Sequence, residues 1–200
     1  MVSDYRFRGI SLSDGRPETQ LSLEYEHPGG WYAGAFASRV ELYENRSNAQ
    51  LVAYTGYTRQ LPSGLSWDVG ATYSVFTQAA NYNYAEVYVG ATSGNVSGRI
   101  HFAPDYFGQG IRSIYAEING DYPIRERLHL LGHIGLLQLL STRQGAATAG
   151  RFDTRIGIGT GFAAWNFQLA WVAGEGGRAG YPIYEHSGSQ AVVLSASYAF

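Results

Sequence analysis

Apolar and polar positions alternate with a period of two along most of the chain. The clearest case is residues 191–200. Val192, Leu194, Ala196, Tyr198 and Phe200 share one face, and Val193, Ser195, Ser197 and Ala199 share the other. That spacing predicts a β-strand whose two faces meet different surroundings. The same pattern predicts strands at 2–11, 20–26, 32–42, 48–60, 67–75, 84–91, 96–102, 114–122, 128–137, 153–162 and 167–171, about twelve in all. In the first, Tyr5, Phe7 and Gly9 oppose Asp4, Arg6 and Arg8. In the third, Phe36, Val40 and Leu42 form the apolar face and oppose Arg39 and Glu41. The stretch 128–137 is the most apolar and alternates least.

The connections are unequal in a regular way. Those after odd strands are long, at 12–18, 43–47, 76–81, 103–112, 138–151 and 173–190. Those after even strands are mostly short, around Pro28, Pro62, Gly94, Pro123 and Ala164. A transmembrane up-and-down antiparallel β-barrel has short periplasmic turns, longer outer loops and both termini in the periplasm. Strands of about ten residues suit the ~9–11 needed to cross hydrocarbon at a tilt. A soluble β-sandwich also alternates, but it has no reason to alternate its loop lengths. Aromatic residues favour the barrel. Tyr25, Tyr57, Trp67, Tyr122, Phe162, Phe167, Tyr198 and Phe200 fall on the apolar face near the short turns, where an interfacial girdle belongs. The expected fold is therefore all-β, one outer-membrane barrel domain over residues 1–200, with Tyr198 and Phe200 as its C-terminal assembly signal.

Composition narrows the chemistry. Charged residues are 15% of the chain, against roughly 25% in ordinary soluble domains. The formal net charge of −2 gives no electrostatic case for nucleic acid. There is no Cys, which excludes disulfides and thiolate catalysis. All 14 basic residues are Arg. No signal peptide precedes the first strand, so an exported protein is expected here in its mature form.

Several segments resemble one family. Residues 2–11 (VSDYRFRGIS), 82–88 (YNYAEVY), 104–108 (PDYFG) and 119–123 (NGDYP) are similar to the TorF-type porins of proteobacteria. The similarity spans nearly the whole chain and departs at 128–144, which is unusually Leu-rich. It implies an outer-membrane barrel with a channel role, and it carries no catalytic residues.

Catalytic and metal constellations are weak. His129 and His133 have a zinc-helix spacing, but Leu130 stands where that motif has Glu. On a strand they lie about 13 Å apart, at ~3.3 Å per residue, too far for one metal. A hydrolase triad has only His101, which faces inward, or the sequence neighbours Glu185, His186 and Ser187. No enzyme, metal or cofactor is expected.

The inward charges carry the functional expectation. Parity places Asp4, Arg6, Arg8, Glu24, Glu26, Arg39, Glu41, Asp68, Glu86, Arg99, His101, Glu117, Asp153 and Arg155 on the pore lining, with Asp105 and Asp121 adding to the acidic surplus. Arg6 and Arg8 are expected beside Glu24 and Glu26, and Arg99 beside Glu117. The expected function is a narrow passive channel for small cationic or neutral solutes. The alternatives are a plugged structural or adhesive barrel, and a lipid-modifying barrel enzyme. Expected partners are outer-membrane lipid and the barrel assembly machinery. Arg16, Arg46, Arg112, Arg143, Arg151 and Arg178, in or beside long connections, are candidates to bind lipopolysaccharide phosphates.

Overall fold

The computed structural model describes residues 1–43, 46–140, 150–176 and 188–200. Eleven strands form one antiparallel sheet in sequence order: β3 (Gln20–Glu26), β4 (Trp31–Tyr43), β5 (Arg46–Gln60), β6 (Ser66–Phe76), β7 (Tyr84–Ser93), β8 (Val96–Ala103), β9 (Ser113–Arg125), β10 (Leu128–Leu139), β11 (Gly150–Phe162), β12 (Trp165–Gly176) and β13 (Gln190–Tyr198). A separate two-stranded hairpin pairs β1 (Arg6–Phe7) with β2 (Ile10–Ser11). Short turns follow β3, β5, β7, β9 and β11 at one end of the wall. The segments 77–83 and 104–112 lie at the other, long-loop end.

The outer strands β3 and β13 share no ladder, so the sheet is not closed on itself. Residues 1–3 lie between them. Val2 is the antiparallel partner of Glu18 on one side and of Ser195 on the other. The Val2 and Glu18 amides each donate to the other's carbonyl, at 2.9 and 2.8 Å. On the other side, Ser3 N donates to Leu194 O at 2.8 Å, and Ala196 N to Met1 O at 2.9 Å. Leu194 N donates to Ser3 Oγ at 2.9 Å.

The predicted first strand over 2–11 is thereby corrected. Only its first residues reach the wall. The chain then turns inward, because Arg8 and Gly9 take positive φ (50° and 75°) and fold Ile10 back onto Phe7. Two successive positive φ values are the mark of the mirror-image turns that join tight hairpins. Asp4 holds the fold: it accepts from Arg6 Nε at 2.6 Å and from the Ser11 and Ser13 hydroxyls at 2.5 and 3.2 Å.

The wall is apolar outside and polar inside. Leu23, Val192 and Ile156 are 68%, 65% and 58% exposed, while Glu86 and Asp153 on the inner face are buried. Trp31, Tyr57 and Trp67 form a chain of outward rings near the short turns, with centroids 5.2 and 5.7 Å apart. Trp165, Phe167 and Tyr198 form another.

The sidedness of β4 reverses what its apolar residues predict. Phe36, Val40 and Leu42 face inward, and Arg39 and Glu41 do not line the lumen. Glu41 pairs instead with the exposed Arg16 at 2.7 Å. The reason lies at the long-loop end. There the inner face becomes a packed apolar core, in which Ile10, Leu12, Val40, Leu42, Phe76, Leu137 and Leu139 meet Tyr106 and Phe107 from the 104–112 connection. Where the interior packs shut, the apolar residues turn in and the charges turn out.

Candidate functional site in the lumen

Two cavities run along the inside of the wall. The upper one has a volume of about 610 Å³ and lies against the N-terminal hairpin, with Asp4, Arg6, Arg8, Glu86, His101, Glu117, His133, Asp153 and Arg155 on its walls. The lower one, about 480 Å³, lies toward the short turns and is lined by Glu24, Glu26, Tyr32, Tyr54, Asp68, Tyr88, Arg99 and His101. His101 and Thr72 border both, so they mark the junction.

The upper charges are closely matched. Arg8 Nη2 donates to both Glu86 carboxylate oxygens at 2.9 Å. Its guanidinium lies 4.2 Å over the Tyr115 ring and 4.7 Å from that of Phe7. Arg151 donates to the Arg8 and Gly9 carbonyls at 3.2 and 3.3 Å. Tyr5 OH donates to Gln50 Oε1 at 3.0 Å. Beside Tyr115, His133 Nε2 is 2.8 Å from Asp153 Oδ1, and its Nδ1 is 2.7 Å from Asn119 Oδ1. Tyr115 OH joins that pair, 3.2 Å from Asp153 Oδ2. Glu117 sits within 4 Å of both His101 and His133.

The lower cavity is built differently. Asp68 takes Arg99 at 2.8 Å, and Arg99 stacks 4.5 Å from the Tyr88 ring. Glu24 accepts from Tyr54 OH. Tyr32 OH meets Tyr88 OH at 2.6 Å and Asp68 at 3.2 Å. These three tyrosines lie against the wall because each faces a glycine on the next strand. A Cβ at Gly34 would strike the Tyr54 ring, one at Gly56 the Tyr32 ring, and one at Gly70 the Tyr88 ring. The cross-strand partners are the same pairs. Each ring occupies the space that a side chain at the facing glycine would take.

Several expected pairings are corrected by this geometry. Arg6 and Arg8 do not meet Glu24 and Glu26; they belong to the inner hairpin and bind Asp4 and Glu86. Arg99 is the register partner of Glu117, yet its side chain reaches the other way, over Gly90 of β7, to Asp68 on β6. Asp105 is an exposed loop residue that caps Gly110 N, and Asp121 binds His129 at 2.6 Å. Arg151 is buried against the hairpin and is not available to lipid. The side chain of Arg46, with Arg143, Arg178, Glu185, His186 and Ser187, lies outside the described residues. Alternation puts Tyr88 and Tyr115 on the inward face without marking a role for them, and it does not flag Tyr32, Tyr54 or His133. Tyr suits either face, so only the glycine opposite a ring carries a signal.

Among the described residues no group of three or more His, Cys, Asp or Glu is placed to hold a metal ion. His129 and His133 bind separate partners, Asp121 and Asp153.

The family described as "Bacterial protein of unknown function (Gcw_chp)" matches residues 1–200, the whole chain. The chain belongs to the Gcw_chp family. No curated protein matches it. Among solved structures, this Gcw_chp chain resembles one described as "KdgM porin in complex with disordered oligogalacturonate". The TM-score is 0.58 and the identity 12%, over 100% of this chain and 99% of that one. The likeness is one of fold, and it places the antiparallel sheet among barrel-like porin folds. It covers the chain from end to end.

Proposed function

We propose that this Gcw_chp protein is a bacterial outer-membrane barrel that acts as a narrow porin-like channel, in keeping with its resemblance to the TorF-type porins. In this reading the eleven strands and residues 1–3 close the wall, with both termini on the periplasmic side. The observation that carries it is the sidedness of the wall. Outward apolar and aromatic side chains stand exposed on every strand from β3 to β13, with β4 contributing Trp31 and a row of small residues. A monomeric soluble protein rarely exposes an apolar patch beyond a few hundred Å². A lipid-facing barrel requires one.

The solute class follows from the lower cavity. Three carboxylates (Glu24, Glu26 and Asp68) face one guanidinium, Arg99, which is already paired with Asp68. The similar porin was solved with an oligogalacturonate, a polyanion. The acidic lower cavity here suits cations and neutral solutes instead. Reconstituted in a planar bilayer, the protein should show small conductance steps with a reversal potential on the cation side. Glu24→Gln with Glu26→Gln should lower that preference. The effect should fade as salt approaches about 1 M, where the Debye length is about 3 Å. Glu86 and Glu117 are poorer targets, because Arg8, His101 and His133 already face them. Anion selectivity in the wild-type protein would overturn the solute assignment.

A plugged barrel is the second reading, and the apolar core at the long-loop end favours it. Well-folded protein that conducts nothing under any condition would decide for the plug.

Tyr198 and Phe200 are read as the signal for the barrel assembly machinery. Both are exposed, Phe200 at 94%. Deleting Phe200 should reduce folded, heat-modifiable protein in outer membranes several-fold. Unchanged levels would leave Phe200 without that role.

A further inference from the structure

Residues 4–13 are the part of the chain that leaves the wall and enters the lumen. Ile10 and Leu12 join the long-loop core, and Asp4, Arg8, Ser11 and Ser13 are buried beside it. The segment is tied at both ends to the seam, by residues 1–3 before it and by the Val2–Glu18 pairing after it. Between those ties it holds the wall at three places: Glu41 N donates to Leu12 O at 2.6 Å, Tyr5 OH donates to Gln50 Oε1 at 3.0 Å, and the charged contacts gather at the tip. Glu86 takes the Arg8 guanidinium, Tyr115 stacks on it, and Arg151 holds the two carbonyls of the turn.

The tip is also strained. Arg8 has φ 50°, a left-handed conformation that Gly or Asn adopts more readily. Strain of this kind persists only where surrounding contacts over-determine it, and it concentrates at switches and clamps. Here those contacts are the Glu86 carboxylate and the Tyr115 ring on the wall. A hairpin with two-residue strands has little stability of its own, so its position depends on its contacts with the wall and the core, of which the Arg8 pair is the charged one.

We propose that residues 4–13 form a gate inside the lumen and that Arg8 is its latch on Glu86. With the latch closed, the hairpin and the apolar core seal the long-loop half, and the lower cavity opens only toward the short turns. With the latch released, the segment swings about its seam ties and joins the two halves. The inference rests on the channel reading and supplies its regulation.

The chain has no Cys, so one introduced thiol reports the movement without background. Ser11→Cys places it on the buried face of the hairpin, where Asp4 keeps its bonds from Arg6 and Ser13 when the Ser11 hydroxyl is lost. Its reaction with a water-soluble maleimide should be slow in the parent protein. Arg8→Asn keeps a residue that tolerates the turn but removes the latch; Glu86→Gln keeps the shape and removes the charge. In the Ser11→Cys background each should speed labelling, and in bilayers each should raise open probability about tenfold, the equivalent of ~1.4 kcal/mol. Circular dichroism and heat-modified migration should confirm that both variants are folded.

Unchanged labelling and unchanged open probability in both folded variants would overturn the gate. So would full conductance in a Ser11→Cys parent whose thiol stays protected from the maleimide. Faster labelling with no conductance in any variant would leave the movement standing and overturn the channel reading instead.

Discussion

Ile156→Arg should lower the yield of folded, membrane-inserted protein at least thirtyfold, the equivalent of about 2 kcal/mol. Ile156 is at the centre of β11, opposite Gly132 on β10 and Trp171 on β12, and its side chain points out of the wall. An Arg at the bilayer midplane on the lipid face of a barrel costs about 2–4 kcal/mol, and near the interface about 0–1. On a water-facing surface the same change stays within about 0.5 kcal/mol. Thr160→Arg is the control, because Thr160 is on the same face and close to the short-turn end of β11. Folding into lipid vesicles, followed by heat-modified migration, separates the cases. Equal yields for the two variants would show that the apolar outside of this wall does not face lipid.

Ser3→Pro should be nearly as damaging, for a different reason. Ser3 stands at the seam, where its amide donates to Leu194 O and its hydroxyl accepts from Leu194 N. Leu194 is opposite Leu169, which is opposite Ile158, so these bonds lie well inside the wall rather than at its rim. Proline supplies neither the amide donor nor the hydroxyl. Each backbone group left unsatisfied in hydrocarbon costs several kcal/mol. Loss of the heat-modifiable form is the expected result, with Ser3→Ala milder because it keeps the amide. A Ser3→Pro protein that folds and melts like the parent would mean that residues 1–3 do not close the wall.

The wall is legible in the sequence because a sheet with one apolar face writes its pattern on the backbone period. The outward faces of β3, β7 and β11 follow from Leu21–Leu23–Tyr25, Val87–Val89 and Ile156–Ile158 alone. β4 misleads for a physical reason. Alternation gives two faces but not which is inside, and the apolar core at the long-loop end reverses the usual assignment at Val40 and Leu42. The hairpin is hidden by its turn. Asn-Gly or Asp-Gly announces such a turn, whereas Arg8-Gly9 reads as part of a strand until the Arg8–Glu86 contact, 78 residues apart, is known. Parity finds Glu24, Glu26, Asp68 and Arg99, but their partners come from long side chains reaching across strands, which register does not fix.

The tyrosines laid over Gly34, Gly56 and Gly70 give the interior an asymmetric freedom to change. A Cβ added at any of these glycines would meet both the ring and a backbone carbonyl, Leu23 O, Val69 O or Thr55 O, at 2.5–2.7 Å. Shortening a ring meets no such obstacle. Among descendants of this chain the glycines should therefore stay fixed while the rings over them vary, and the interior should widen by loss of a ring more readily than it narrows by gain of a side chain.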